Sequence, residues 1–154
     1  MRKPSAGLLT YRRRRGELEF LLVHPGGPYW EHRDDASWSI PKGEYEPAEQ
    51  PLDAACREFL EETGFEAQGS FTPLTPIKQP NGKVVSAWAV EGDFDAEAVR
   101  SNTFTMEWPP RSGTQMEFPE VDRGAWFGVN EARRKIFPAQ VAFVDELLGL
   151  LGSA

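Results

Sequence analysis

Cysteine and long apolar runs are almost absent from this sequence. The 154 residues include one cysteine, Cys56, and two histidines. A single cysteine excludes an intramolecular disulfide and an all-cysteine metal site, and it favours a reducing, cytoplasmic location. The first apolar stretch, residues 6–9, is soon followed by four arginines at residues 12–15. It is too short for a signal-peptide core or a membrane span, so no membrane partner is expected.

Basic residues are outnumbered by acidic ones. The chain has 17 Lys and Arg against 24 Asp and Glu, for a formal net charge of −7. Affinity for nucleic acid polymers comes mainly from Lys and Arg on phosphates, so such a partner is not expected. The acidic residues are concentrated between residues 44 and 66. A run of this kind is usually a solvated helix face, and only the spacing of its members can indicate a site.

The hydrophobic pattern predicts strands interspersed with helices. We expect a mixed α+β fold, in which a mixed β-sheet packs against helices, as a single domain over residues 1–154. The predicted strands are 5–12, 17–24, 67–78, 83–92 and 123–129, the predicted helices 51–63, 131–136 and 138–150, and the longer loops 25–36 and 101–119.

The helix at 51–63 has clear end signals. Pro51 suits a first helical turn, and Gly64 suits a C-terminal cap. An apolar stripe that recurs at helical spacing is predicted to be buried, and Cys56 is then a small core residue rather than a nucleophile. This stripe comprises Leu52, Cys56, Phe59 and Leu60. At the start of the helix predicted over 131–136, Asn130 is the expected cap.

Three carboxylates share one face of the 51–63 helix. Glu58 is three residues from Glu61 and four from Glu62. At those spacings neighbouring like charges repel and destabilise a helix, unless a divalent cation lies between them. Oxygen ligands without His or Cys suit Mg²⁺ or Mn²⁺ rather than Zn²⁺. The spacing therefore indicates a metal site.

Residues around this face extend the pattern. Gly43 allows close approach of the backbone to a ligand, and its carbonyl would add an uncharged oxygen to a metal shell. Arg57 directly precedes Glu58, so it points to a flank of the acidic face, where it can pair with an acidic neighbour and orient it. Glu49 is another carboxylate near the cluster.

The combined motif resembles the Nudix box. Gly43, then Glu49 six residues later, then residues 57–65 (REFLEETGF) match every fixed position of that box. Phe59 stands where a smaller aliphatic residue is commoner, which affects packing rather than chemistry. Residues 38–44 (WSIPKGE) also resemble the run that precedes the box in diadenosine tetraphosphate hydrolases.

The resemblance implies a fold and a set of roles. It implies an α/β/α sandwich and Mg²⁺- or Mn²⁺-dependent hydrolysis of a diphosphate linkage in a small nucleotide-like substrate. The implied metal ligands are Glu58, Glu61, Glu62 and the Gly43 carbonyl. Glu58 and Glu61 are both candidates for the base that activates water. The implied supporting residues are Arg57, counted with the catalytic groups, and Glu49.

Further candidate metal-binding and substrate-binding residues lie outside the box. Some relatives take a further glutamate from a loop, for which Glu120 is the candidate and Glu117 the alternative. Phosphate contacts are expected from Lys42, His32 and Arg33, whereas His24 is expected to be structural. At most two of five aromatic residues are expected to contact a base, with Trp108 preferred and Trp88 expected in the core. The five are Tyr29, Trp30, Trp88, Phe104 and Trp108.

Other functions are weighed against hydrolysis. A non-catalytic Nudix module that senses a nucleotide would have no need for all three helix carboxylates. A purely structural acidic helix leaves the repulsion among them unexplained. A prenyl diphosphate isomerase, also known in the family, would need a cysteine that this sequence does not place suitably. The candidate substrates are dinucleoside polyphosphates, favoured by residues 41–43, then nucleoside triphosphates, nucleotide sugars and diphosphoinositol phosphates.

Overall fold

The fold was analysed in a computed structural model that describes residues 3–152. The outermost positions of the predicted 1–154 domain therefore lie outside the described residues. In chain order the elements are β1 (Ser5–Arg14), β2 (Glu17–Pro25), β3 (Lys42–Glu44), α1 (Pro51–Thr63), β4 (Thr72–Pro73), β5 (Ile77–Lys78), β6 (Val84–Glu91), β7 (Thr103–Glu107), β8 (Gln115–Pro119), β9 (Val121–Gly128), α2 (Val129–Lys135) and α3 (Val141–Leu150). Single 3₁₀ turns lie at Ala96–Ala98 and Pro138–Gln140.

A mixed sheet forms the middle of the fold. Its strand order is β4-β6-β1-β2-β9, with β1 parallel to β6 and antiparallel to β2. The short β3 pairs with the start of β1, at Ser5 to Gly7, while β2 pairs with its end, from Thr10 to Arg14. Since β6 occupies the other edge of β1, β2 and β3 share one edge. This divergence of β2 from β1 leaves room for β3, which carries Gly43.

Helices cover both faces of the sheet. Along β1, Leu8 contacts the cluster formed with Ala54, Ala55 and Phe59 of α1, whereas Leu9 belongs to the cluster that contains Phe143 of α3. Successive strand residues point to opposite faces, so α1 lies on one face and α2 with α3 on the other. The predicted mixed α+β sandwich is confirmed.

The ends of α1 agree with the prediction, but one member of its stripe does not. Pro51 is at the first position, and Gly64 ends the helix with φ 82° and an N–H donated to the Leu60 carbonyl. Leu60 is 48% exposed, whereas Phe59 is fully buried. Leu60 lies about 100° further around the axis than Phe59, beyond the edge of the buried face. Cys56 packs, partly buried, against the α1 core as predicted.

Three element predictions were wrong. Residues 101–119 form the β7–β8 hairpin rather than a loop; Pro109 and Pro110 lie in its turn, so they do not interrupt strands. The strand predicted over 67–78 is reduced to β4 and β5, because Pro73 and Pro76 cannot donate to a ladder. The cap predicted at Asn130 lies inside α2, which begins after Gly128.

Two structural assignments hold. His24 is fully buried, with Nδ1 2.9 Å from Asp122 Oδ1 and Nε2 2.6 Å from the Arg33 carbonyl. It thereby ties the loop after β2 to β9. Trp88 packs partly buried against the α1 core, so it is no base-stacking residue. Among residues 3–152, every helix is too short or too polar to cross a membrane.

Candidate active site at the β3–α1 junction

Gly43 lies against the carboxylate of Glu58. A Cβ built at Gly43 would be 2.0 Å from Glu58 Oε1 and 2.1 Å from its Cδ. That separation is far below van der Waals contact, so any larger residue would displace Glu58. The backbone of β3 and a carboxylate of α1 are thus in contact only because position 43 lacks a side chain.

Gly43→Ala is therefore expected to damage the site without damaging the fold. Displacement of the Glu58 carboxylate should lower kcat/KM by at least about tenfold, since small misplacements of reacting groups are costly. Gly149→Ala is the matched control, because a Cβ there would meet no atom within 4 Å. Steady-state kinetics and thermal melts of both variants would check this. Full turnover by Gly43→Ala would show that the close approach has no functional role.

Arg57 links three carboxylates of the motif. Its Nη1 donates to Glu58 Oε2 at 2.6 Å and to Glu61 Oε2 at 2.8 Å, and its Nε donates to Glu49 Oε2 at 2.8 Å. The hydrogen bond to Glu49 is the main cause of a raised Arg57 pKa and of a lowered Glu49 pKa. The predicted position of Arg57 beside the acidic face agrees with these contacts. Its charge offsets the repulsion between Glu58 and Glu61.

Glu62 is not among the carboxylates to which Arg57 donates; the charge of Lys42 acts on it instead. It lies on the side of α1 that faces the sheet, and its Oε1 accepts the backbone N–H of Lys42 at 3.2 Å. Although the residue as a whole is only partly buried, burial of its carboxylate raises the pKa of Glu62 to about 8, and the charge of Glu58 adds to the rise. Burial also raises the pKa of Glu58. The negative charge of Glu61 raises it further, by less than burial does. Carboxyl groups in these surroundings resist ionisation, and a cation bound between them would favour their charged form.

Glu120 joins these carboxylates from another part of the chain. It follows β8 directly. The residue as a whole is exposed, but partial desolvation of its carboxyl, together with the charge of Glu61, raises its pKa. Glu117 lies within β8, where its Oε2 accepts the Thr103 hydroxyl at 3.0 Å. The structure thus brings Glu120, and not Glu117, to the α1 carboxylates.

A cavity of about 200 Å³ opens beside Glu62 and Glu120. Lys42 also lines it, and burial lowers the pKa of this lysine. Trp30 and Phe137 form its aromatic wall, with ring centroids 5.5 Å apart in a T-shaped arrangement. Larger depressions of about 550 and 500 Å³ lie around the β1–β2 hairpin, away from the carboxylates. The smaller cavity combines acidic, basic and aromatic groups suited to a nucleotide.

Several predicted contact residues lie outside this cavity. The His32 side chain is 91% exposed and approaches Glu31 at 3.8 Å. The Arg33 guanidinium lies over the Trp30 ring, 5.4 Å from its centroid, and Arg33 does not line the cavity. Trp108 lines a separate cleft. Phe137 was not predicted; its position between two helices, directly before Pro138, was the only available signal.

The ligand atoms are suited in kind to a hard cation but are not gathered at one point. Within residues 3–152, no three His, Cys, Asp or Glu side chains are arranged around a common metal position. Arg57 accounts for part of this, since it holds oxygens of Glu58 and Glu61. The donor set nevertheless fits Mg²⁺ or Mn²⁺, because it consists of carboxylates with a backbone carbonyl at a glycine that Glu58 approaches closely.

Known proteins with similar sequences are tetraphosphatases. The chain is 32% identical over 106 residues to the asymmetrical bis(5'-nucleosyl)-tetraphosphatase of Rattus norvegicus, covering 60% of this chain and 68% of the relative. It is 41% identical over 61 residues to that of Caenorhabditis elegans, covering 40% of each protein.

Solved structures show the same fold. A binary complex of the C. elegans Ap4A hydrolase superposes with a TM-score of 0.67 at 22% identity, over 97% of this chain and 99% of that one. The NUDIX domain of Shewanella oneidensis NrtR, complexed with ADP ribose, also reaches 0.67, at 12% identity, over 98% and 89% of the two chains. The family model of the NUDIX domain matches residues 1–147. The predicted resemblance is confirmed: the chain belongs to the Nudix family and is a pyrophosphohydrolase.

Proposed function

We propose that this chain hydrolyses dinucleoside polyphosphates of the diadenosine tetraphosphate type, in a cytoplasmic setting, with Mg²⁺ or Mn²⁺ as its cofactor. The observation that carries the proposal is that Glu62, Glu120 and Lys42 line one aromatic-walled cavity, and that the charge of Glu58 acts on Glu62 there. The tetraphosphatase relatives support this substrate class. The whole of residues 1–154 would act as one Nudix domain.

The cation would be held by oxygen ligands alone. Glu58, Glu61 and Glu62 would supply carboxylates, Gly43 its carbonyl, and Glu120 a further carboxylate. A divalent ion in such a site neutralises phosphate charge and lowers the pKa of a bound water. The carboxylates of Glu58 and Glu62 are largely removed from solvent, which strengthens their interaction with a cation because little water screens it.

The chain's own groups would position the substrate and accept the proton. Either Glu58 or Glu61 would take a proton from the attacking water, and Arg57, which donates to both, would orient them. The ammonium of Lys42, which lines the cavity, would hold a phosphate oxygen. A base would contact the wall formed by Trp30 and Phe137, since aromatic faces stack on any base. Glu49 would support Arg57.

A substrate panel tests the proposal. It would compare diadenosine tetraphosphate with ATP, ADP-ribose and a diphosphoinositol phosphate, each with Mg²⁺ and with Mn²⁺. We expect the highest kcat/KM for diadenosine tetraphosphate, with ATP and AMP as products. Reaction in ¹⁸O-water would identify the phosphorus attacked. Tight binding of these ligands without turnover of any of them would instead support a sensor module.

A further inference from the structure

A second cavity lies on the other side of the chain segment that bounds the first. It has a volume of about 270 Å³ and is formed between the β7–β8 hairpin and the loop after β2. Its walls include Trp108, Met116 and Phe118 from the hairpin side and Gly27, Pro28 and Glu31 from the loop. We call it the hairpin cleft. Nothing in the hydrolysis described above uses it.

Only one layer of backbone separates the hairpin cleft from the catalytic cavity. The Gly26 N–H donates to the Glu120 carbonyl at 2.9 Å, and a Cβ at Gly26 would be 2.0 Å from the Pro119 carbonyl oxygen. Pro25 and Glu120 line the catalytic cavity, while Gly27 and Pro119 line the hairpin cleft. The loop and the hairpin strand thus form a thin shared wall, over which an extended ligand could reach both cavities.

The lining of the hairpin cleft suits a base rather than a phosphate. No Lys, Arg or His is among the described residues that line it, whereas Glu31 offers an acceptor; the carboxylate of Asp122, which also lines it, already lies against His24 Nδ1. Trp108 is half-buried, and its ring centroid lies 5.4 Å from that of Tyr29, a side chain that is 60% exposed. Exposed aromatic faces of this kind stack on bases, and carboxylates accept hydrogen bonds from exocyclic amino groups.

We propose that the hairpin cleft binds the second nucleobase of a dinucleoside polyphosphate whose phosphates lie at Lys42 and the α1 carboxylates. This inference rests on the proposed function, which it deepens by explaining why two nucleosides are preferred to one. The first base contacts Trp30 and Phe137, the second contacts Trp108, and the polyphosphate crosses the wall at Gly26. A mononucleoside polyphosphate fills the catalytic cavity only.

Direct binding tests this arrangement without relying on turnover. Methylene-bridged, non-hydrolysable analogues of diadenosine tetraphosphate and adenosine 5'-tetraphosphate would be titrated by calorimetry, with Mg²⁺, into the parent wild-type protein and into its Trp108→Ala and Trp108→Phe variants. Loss of one stacked base should weaken diadenosine tetraphosphate about tenfold in Trp108→Ala and leave adenosine tetraphosphate within about twofold. Trp108→Phe, which keeps an aromatic face, should retain most of the preference. Leu150→Ala, an exposed apolar residue of α3, is the control and should change neither affinity.

The outcomes separate this inference from the proposed function. Three results would overturn the second base site: equal binding of the two ligands by the parent, no detectable binding of either, or equal weakening of both by Trp108→Ala. A selective loss in Trp108→Ala, rescued by Trp108→Phe, would support it. If wild-type protein shows that selective binding but hydrolyses no dinucleoside polyphosphate, the proposed hydrolysis fails and the second base site remains.

Discussion

Glu61→Gln is expected to lower kcat by at least about a hundredfold, the scale typical of losing one electrostatic element of an active site. The change keeps the size of the side chain and removes one negative charge from the set formed with Glu58, Glu62 and Glu120. Steady-state kinetics on diadenosine tetraphosphate with Mg²⁺ would measure it. Glu66→Gln, an exposed position just beyond α1, is the control and should leave kcat unchanged.

The stability of Glu61→Gln separates a catalytic role from a structural one. Repulsion along the helix alone would make this variant slightly more stable in chelator. A second effect opposes this gain in stability, because Glu61 also accepts the Arg57 Nη1 hydrogen bond at 2.8 Å, and glutamine would weaken it. Gain and loss should nearly cancel, leaving the unfolding free energy within about 0.5 kcal/mol. A variant that melts clearly lower and turns over normally would make Glu61 a structural residue.

Removal of divalent cations is expected to abolish turnover of every diphosphate substrate. Glu62 and Glu120 line the cavity that the phosphate chain would enter, and Lys42 is the one basic residue among the described residues that line it. Acidic groups there oppose phosphate binding unless a cation lies between them and the phosphates. Excess chelator should therefore reduce the rate to the uncatalysed level, and added Mg²⁺ or Mn²⁺ should restore it. Thermal melts in chelator would verify that the protein remains folded.

Turnover that persists undiminished in excess chelator would contradict the oxygen-ligand metal site. The same experiment with Zn²⁺ adds a control on ligand chemistry. Because the site has carboxylates and no His or Cys, Zn²⁺ should restore less activity than Mg²⁺ or Mn²⁺. Equal rescue by Zn²⁺ would point to ligands other than these carboxylates.

Local sequence signals predicted α1 and the grouping of its carboxylates on one face well. Pro51, Gly64 and the three- and four-residue spacing of the carboxylates depend only on helix geometry, so they could be interpreted without the rest of the chain. The burial of Glu62 could not, since it depends on where β3 runs past the helix. The same holds for the multiple contacts of Arg57, which follow from the position of Glu49 in the preceding turn.

The long-range parts of the site were harder to predict. In β7 and β8 the apolar residues alternate with polar ones, as expected for strands; they are Phe104, Met106, Met116 and Phe118. Pro109 and Pro110 nevertheless suggested a loop, because the sequence does not show that the segments on either side of them pair. His32 and Arg33 precede the metal turn in sequence, but the bend of their loop directs them to solvent and over the Trp30 ring. Phe137 reaches the cavity only through the packing of α2 and α3.

Localisation of bound Mn²⁺ by NMR tests the central claim most directly. Substoichiometric Mn²⁺ broadens the amide signals of residues near the ion, and excess Mg²⁺ reverses this where both ions share the site. We predict selective broadening at residues 42–44, 58–62 and 120, reversed by Mg²⁺ and weakened in Glu61→Gln. Broadening confined to another acidic region, such as Asp34 and Asp35, or no selective broadening, would contradict the assignment of these carboxylates as the metal site.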